Sequence, residues 1–210
     1  MQMHPYDFPA TTQIISGNKA DYYSQIDKNY FDICAGAKVL EIAPHAGNHT
    51  KLIAKHVPLY LECVEGDAIH QSIIKNIPGV DKVVVEDIWL RVDNTPFDIV
   101  ICFGLLYHHH SALHLLELLV NYHSPKYIML DCLTAEHPLA YLPESVNVSG
   151  FRQIRPHWKH CGVNLKPPFF IVNMSMANMG YELKKTHKLQ TSYFPKSNGW
   201  VALWERKEKL

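Results

Sequence analysis

The sequence lacks the features of several broad protein classes. No apolar run approaches the roughly 18 residues that a membrane-spanning helix needs. Residues 1–13 contain neither the basic segment nor the apolar segment of a signal peptide. Lys and Arg together number 20, as do Asp and Glu, so the formal net charge is zero. We therefore expect a cytoplasmic protein with no membrane partner, and the charge balance argues against a nucleic-acid partner.

Cysteine use excludes a disulfide scaffold. The chain has five Cys and no CxxC pair. Three of them, Cys63, Cys102 and Cys132, lie inside apolar runs, where a Cys behaves as a small hydrophobic residue. We predict reduced thiols in the core of a protein from a reducing compartment. With 210 residues, of which 47% are hydrophobic, the chain is long enough for one domain with a full core.

Apolar runs alternate with helical patterns along most of the chain. Strands are predicted at residues 38–42, 59–64, 82–85, 97–103, 126–133, 181–190 and 199–206. Helices are predicted at residues 19–34, 49–56, 67–76, 111–122 and 168–180. Strands that are apolar throughout are typical of a parallel sheet that is covered on both faces. The pattern predicts an α/β fold with a doubly wound, mostly parallel seven-stranded sheet and an antiparallel C-terminal hairpin.

The same pattern divides the chain into four parts. Residues 1–35 are predicted to form an N-terminal arm and helix that serve as a lid, and residues 36–133 the cofactor-binding half of the sheet. Residues 134–166 are rich in Pro and His without a clear period, as in a substrate loop or insertion. Residues 167–210 add a helix and an edge hairpin to the same domain.

Carboxylates follow three of the predicted strands. Ligands of open α/β sheets bind at the carboxyl ends of the strands. Glu41 lies near the end of the first core strand, and Glu65 follows 24 residues later, where such folds hold a ribose diol. Asp87 follows the third strand, where a carboxylate can accept a hydrogen bond from an adenine amino group. No Walker motif or GxGxxG loop is present, so the pattern indicates an adenosine-bearing ligand rather than a triphosphate or dinucleotide.

Four segments in this order resemble the class I S-adenosylmethionine-dependent methyltransferases, which have a Rossmann-like fold. The segments are VLEIAPHAGNHT (39–50), VEGD (64–67), VVVED (83–87) and FDIVICFGLLYHH (97–109). The similarity extends over about residues 36–206, and the segment after the fourth core strand is most similar to a subgroup with an FG-LLYH sequence. The resemblance implies S-adenosylmethionine as cofactor and methyl transfer to an O or N atom of a small molecule.

The resemblance also implies roles for the residues at the strand ends. Glu41 would lie near the cofactor's amino group. Glu65 would accept the ribose hydroxyls, with Asp67 as the alternative. Asp87 would accept from the adenine amino group, and Ile88 and Phe103 would either sandwich the adenine or line its pocket.

The first loop departs from the family pattern. That pattern places Gly at three alternating positions, where the backbone needs unusual dihedral angles. Here these positions hold Ala43, His45 and Gly47. His45 either impairs cofactor binding or contributes a hydrogen bond to the cofactor.

The residues that would act on the acceptor carry a weaker signal. Tyr107 and His108 occupy the place where the transferred methyl group should emerge, and His108 could accept a proton. Tyr107 could instead only shape the cofactor pocket. Substrate contacts are predicted in the irregular segment, from Arg155, His157, Trp158 and His160. His110 and His114 have the spacing of zinc ligands, but no carboxylate joins them, so we predict no metal.

Two other functions remain open. One is an RNA-modifying carboxymethyltransferase that uses carboxy-S-adenosylmethionine, which would need a basic face and an Arg or Lys for the cofactor carboxylate. The other is a non-catalytic S-adenosylmethionine-binding module, favoured by the substitution at His45. The acceptor, the need for a general base and the oligomeric state have no signature in the sequence.

Overall fold

The computed structural model describes residues 12–88, 91, 93–106, 112–134, 167, 169–191 and 198–208. The strands are β1 (Gln13–Gly17), β2 (Lys38–Ile42), β3 (Tyr60–Glu65), β4 (Lys82–Val85), β5 (Ile99–Cys102), β6 (Tyr127–Thr134), β7 (Tyr181–Thr191) and β8 (Asn198–Arg206). The helices are α1 (Lys19–Tyr30), α2 (Asn48–Lys55), α3 (Ala68–Lys75), α4 (Ala112–His123) and α5 (Phe169–Asn178), and a 3-10 turn follows α1 at Phe31–Cys34.

The strands form one sheet with the order β1-β7-β8-β6-β5-β2-β3-β4. Strand β8 runs antiparallel to both of its neighbours, and every other pair is parallel. From β2 the chain builds outward through β3 and β4, and then returns to place β5 on the other side of β2. This reversal creates the kind of switch point at which doubly wound sheets bind ligands. The predicted parallel sheet with an antiparallel C-terminal hairpin is confirmed.

The sheet has an eighth strand that the sequence pattern does not predict. Strand β1 lies within the segment expected to be an arm, and it pairs in parallel with β7 at the edge of the sheet. Ile15 is its only buried residue. One buried side chain in five residues gives no periodic signal, so the pairing depends on the exposed edge of β7.

Helices cover both faces of the sheet. Helices α1, α2 and α3 pack on one face, through Tyr22, Ile26, Tyr30, Ile53 and Ile74. Helices α4 and α5 pack on the other, through Leu115, Leu116, Leu119, Val172 and Met176. Cys63, Cys102 and Cys132 are buried and form no disulfide within the described residues, as predicted. None of the helices in the described part of the chain is long and apolar enough to cross a membrane.

The buried face of α3 is narrower than predicted. Periodicity suggests that Ile69, Ile73 and Ile74 share one buried stripe. In the structure only Ile74 is buried, while Ile69 is 66% exposed and Ile73 is 43% exposed. The helix has eight residues and lies near the β4 edge of the sheet, so one turn of its surface is enough to cover the strands beneath it.

Candidate functional site

The carboxyl ends of β2, β3, β4 and β5 lie level with one another. Ile42, the last residue of β2, pairs with Val64 of β3 and with Cys102 of β5. Glu65, the last residue of β3, pairs with Val85, the last residue of β4. The residues predicted at these strand ends are therefore brought to one edge of the sheet, on both sides of the switch point.

Glu65 joins the loop after β2 to the loop after β3. One carboxylate oxygen accepts from the backbone N–H of His45 and the other from that of Asp67, each at 2.8 Å. Its carbonyl accepts from the N–H of Glu86, which continues β4. Asp67 is engaged differently, because its carboxylate caps α3 by accepting from the N–H of Ile69 at 2.8 Å. Of the two acids considered for the ribose, Glu65 is the one at the junction of the loops.

Glu41 is a carboxylate buried on β2, with 3% of its surface exposed. The Cys63 thiol donates to it at 3.7 Å, and the buried hydroxyl of Thr50 also favours its ionised form. Burial raises the pKa of Glu41 to about 7. No cationic side chain within the described ranges offsets this cost of burial. A buried carboxylate with two neutral donor groups beside it has acceptor capacity left for a positively charged group.

The loop after β2 keeps the backbone conformation of a glycine-rich loop. Ala43, His45 and Gly47 have φ angles of 55°, 51° and 71°. All three are left-handed, at the positions where the family pattern has Gly. Side chains other than Gly are strained there, although His tolerates this region better than most residues. The substitutions at Ala43 and His45 therefore change side chains without changing the path of the loop.

The His45 side chain lies toward α3. Its ring centroid is 4.0 Å from that of His70, on the first turn of that helix. Burial, reinforced by His70, lowers the pKa of His45. Its backbone N–H supports Glu65, as a Gly at the same position would. The hydrogen bond that His45 makes in this structure is from its backbone to Glu65, and a bond from His45 to the cofactor stays a prediction.

Gly47 offers a test of this loop because Gly36 has nearly the same φ, 70°, but lies away from the site. A Cβ at position 47 would lie 2.5 Å from Cδ1 of Ile77, whereas one at position 36 would meet nothing within 4 Å. We expect Gly36→Ala to lose about 1 kcal/mol of unfolding free energy through left-handed strain, and Gly47→Ala to lose at least as much, because its Cβ also displaces Ile77. Only Gly47→Ala should also weaken ligand binding at the strand ends. Chemical denaturation and calorimetric titration measure the two effects, and equal binding by both variants would contradict the assignment of the loop.

Ile88 and Phe103 lie on opposite faces of the sheet. Ile88 belongs to the core beneath α4 and α5, and Phe103 to the core beneath α1 and α2. Phe103 stacks on Phe31 at 6.1 Å and meets the edge of His49 at 5.1 Å. The structure does not place these two residues face to face. Asp87 is half-buried beside Ile88, in the loop after β4.

Sequence reasoning misses His49 on the first turn of α2. Its ring lies in a cluster of aromatic side chains from α1, the 3-10 turn and the loop after β5, namely Tyr22, Tyr23, Phe31 and Phe103. Its Nε2 is buried and has no hydrogen-bond partner among the described residues. Burial lowers the pKa of His49 to about 4, so the imidazole is neutral near pH 7. A single His beside a loop carries no motif that could have found it.

Asp131 is a second missed residue, in the middle of β6. Its carboxylate accepts from the N–H of Gly104, in the loop after β5, and from the Tyr22 hydroxyl at 3.4 Å. Burial raises the pKa of Asp131 to about 7. The signal available in the sequence is a lone acid in the apolar run KYIMLDCL (126–133). Asp131 therefore links α1 to the loop that leads toward Tyr107 and His108.

Six predicted site residues lie outside the described residues: Tyr107, His108, Arg155, His157, Trp158 and His160. Their roles stay predictions. His110 also lies outside, and His114 is an exposed residue of α4 with Glu117 at 3.5 Å. Within the ranges that the structure describes, no three His, Cys, Asp or Glu side chains are grouped as metal ligands would be.

Known proteins resemble this chain in fold, although no family model or curated protein matches its sequence. Solved structures do match. Magnesium protoporphyrin IX methyltransferase (ChlM) from Synechocystis PCC 6803, with bound SAM, has a TM-score of 0.62 and 10% identity, over 90% of this chain and 77% of that one. The N-methyltransferase NodS from Bradyrhizobium japonicum WM9, in complex with S-adenosyl-L-homocysteine, has a TM-score of 0.66 and 13% identity, over 91% and 89%.

A third match is a putative S-adenosylmethionine-dependent methyltransferase from Listeria monocytogenes. It has a TM-score of 0.66 and 10% identity, over 90% of this chain and all of that one (100%). The chain has the fold of these methyltransferases. At 10–13% identity the likeness concerns architecture, and function has to be argued from the site.

Proposed function

We propose that the protein is an S-adenosylmethionine-dependent methyltransferase that acts on an O or N atom of a small molecule. The observation that carries this proposal is a pair of buried carboxylates, Glu41 and Glu65, at the ends of adjacent parallel strands beside a left-handed loop. Structures with the same fold contain S-adenosylmethionine or S-adenosylhomocysteine.

The chemistry of the two carboxylates fits this cofactor. Glu41 has a raised pKa and no cationic partner in the described part of the chain, so a bound ammonium group would stabilise its ionised form. Glu65 uses one acceptor position on each oxygen for a backbone N–H, and a carboxylate has about four such positions. The remaining positions suit a pair of ribose hydroxyls. Together the two acids would hold the charged end and the sugar of one ligand.

Asp87 and Ile88 would complete the site at the end of β4. A carboxylate accepts from an exocyclic amino group, and a buried Ile provides an apolar surface for a purine ring. The base would then lie on the β4 side of the sugar, because Glu65 and Val85 are paired residues of neighbouring strands. This order along the edge agrees with an adenosyl group that lies across β2, β3 and β4.

When bound, the cofactor supplies a methyl group on a sulfonium whose leaving group is neutral. The protein then contributes mainly binding and orientation. Glu41, Glu65 and Asp87 would fix the cofactor, and Tyr107 and His108 stay the candidates for contact with the acceptor. The small-molecule assignment is supported by the zero net charge. ChlM, whose named substrate is a porphyrin, is an example of the fold with a small acceptor.

The experiment that tests the acceptor class uses S-adenosylmethionine labelled in its methyl group. The purified protein is incubated with a cell extract divided into low-mass metabolites, RNA and protein. The proposal predicts label in the low-mass fraction that resists ribonuclease. Label in the RNA would instead favour the RNA-modifying alternative, and binding of the cofactor without transfer to any fraction would favour a non-catalytic module.

A further inference from the structure

The loop after β4 is held by one buried arginine. Arg91 is 3% exposed and lies four residues after Asp87, the residue proposed to accept from the adenine amino group. A buried guanidinium needs partners for its several N–H donors. In this protein the two terminal nitrogens find partners in two directions, in the loop itself and on β3, while Nε has no hydrogen-bond partner among the described residues.

Within the loop, Arg91 closes a ring around the two proposed adenine contacts. One guanidinium nitrogen donates to Glu86, at 3.3 Å, which precedes Asp87. The backbone N–H of Arg91 donates to the carbonyl of Ile88, at 3.3 Å. Asp87 and Ile88 are thus enclosed between a guanidinium contact to Glu86 and a backbone hydrogen bond, and only the first of these depends on the arginine side chain.

Toward the sheet, Arg91 is anchored to the strand that carries the proposed ribose acid. Its second terminal nitrogen donates to Glu62 of β3 at 2.7 Å and to Asp93 at 2.7 Å. The other oxygen of Glu62 is held by Lys82, at 3.2 Å, and by the Tyr60 hydroxyl, at 3.1 Å. Glu62 lies three residues before Glu65 on β3.

Stability alone does not explain this network of buried charges. A buried ion pair gains little over apolar packing, because desolvation offsets the attraction between the charges. A planar guanidinium does fix the relative positions of several carboxylates, which a flexible lysine cannot do. The main effect of the network is therefore to fix the geometry of the loop after β4.

We propose that Arg91 is a positioning residue that sets the preference of the site for adenine, by holding Asp87 and Ile88 in register with Glu65. This inference rests on the proposed function. It predicts that the protein distinguishes S-adenosylhomocysteine from S-inosylhomocysteine, in which a carbonyl oxygen replaces the 6-amino group. A fixed carboxylate at Asp87 accepts from the amino group and repels the oxygen.

The test measures both affinities by calorimetric titration, in wild type and in Arg91→Lys. We expect wild type to prefer the adenosyl compound by at least about 30-fold, the scale of one lost charged hydrogen bond. Arg91→Lys should reduce this ratio to a few-fold. In an Asp87→Ala background the same replacement should leave the ratio unchanged, because Arg91 acts through Asp87. Lys184→Ala, which removes an exposed ion pair with Glu205 on the far side of the sheet, is the matched control.

The outcomes separate this inference from the proposed function. If wild type binds neither compound, the proposed function fails and the inference fails with it. If wild type binds but does not discriminate, or if Arg91→Lys keeps the wild-type ratio and only unfolds more easily, the inference alone is overturned. Should Arg91→Lys not fold, the double variant Arg91→Met/Glu62→Met removes both buried charges together, and it must show the same loss of discrimination.

Discussion

Replacing Glu65 with alanine is expected to weaken the binding of S-adenosylhomocysteine by about 100-fold or more. The change would remove the proposed acceptor of the ribose hydroxyls, and hydrogen bonds to a charged group contribute about 1.5–3 kcal/mol each. It also removes the acceptor for the N–H groups of His45 and Asp67, so the two loops lose their common anchor. Calorimetric titration of the purified variant measures the loss.

Two further variants separate recognition from folding. Glu65→Gln keeps one acceptor oxygen in nearly the same place but turns an amide donor toward the other backbone N–H, so we expect it to lose about tenfold in affinity and to keep only part of the anchoring of the two loops. Glu182→Ala removes an exposed acid of β7, far from the strand ends, and should leave binding unchanged. Wild-type affinity in Glu65→Ala would exclude Glu65 from the binding site.

The second large effect is a dependence of ligand affinity on pH, which arises from Glu41. Its pKa in the unliganded protein is raised to about 7, and a bound ammonium group would lower it again. Binding below pH 7 must therefore release a proton. Affinity for S-adenosylhomocysteine should fall by up to about tenfold for each pH unit below 7, and should be flat just above 7. Glu41→Gln should abolish this dependence and bind about 10- to 100-fold more weakly at pH 8.

The same pKa predicts an opposite effect on the stability of the unliganded protein. Because the folded pKa of Glu41 lies above its ordinary value, its contribution is fully present below the ordinary pKa and is lost as pH rises through about 7. Glu41→Gln should therefore unfold at a higher denaturant concentration than wild type at pH 8.

Asp131, which also has a raised pKa, is the control. Asp131→Asn should change the pH dependence of stability and leave the pH dependence of ligand binding unchanged. A Glu41→Gln variant that keeps the pH dependence of binding would contradict the role of Glu41.

The core of the fold could be predicted from the sequence because its strands are continuous apolar runs. The run KVVV matches β4 without a shift, and the runs for β3 and β6 differ from the observed strands by a residue at each end. The carboxylates could be located for the same reason, since the end of a strand is visible wherever an apolar run meets an acid. Glu41 and Glu65 are found in this way.

What the sequence could not predict depends on tertiary contacts. Strand β1 has one buried residue and forms because β7 offers it an edge. The residue types at Ala43 and His45 do not themselves indicate a left-handed backbone, which only the resemblance to the family's glycine positions suggests. Arg91 and Asp131 are single charged residues in the chain, and each acquires its role from partners that are distant in sequence, such as Glu62 for Arg91 and Tyr22 for Asp131.

Thermal unfolding with added ligands shows whether the site at the strand ends binds S-adenosylmethionine. The protein is melted alone and with saturating S-adenosylmethionine, S-adenosylhomocysteine or carboxy-S-adenosylmethionine. A ligand at 100 times its Kd adds about 2.7 kcal/mol, or roughly 5–10 °C in Tm for a chain of this size. We expect such a shift with the first two ligands and its loss in Glu65→Ala. A larger shift with the carboxylated compound would favour the RNA-modifying alternative, and no shift with any of them would contradict the proposal that this site binds the cofactor.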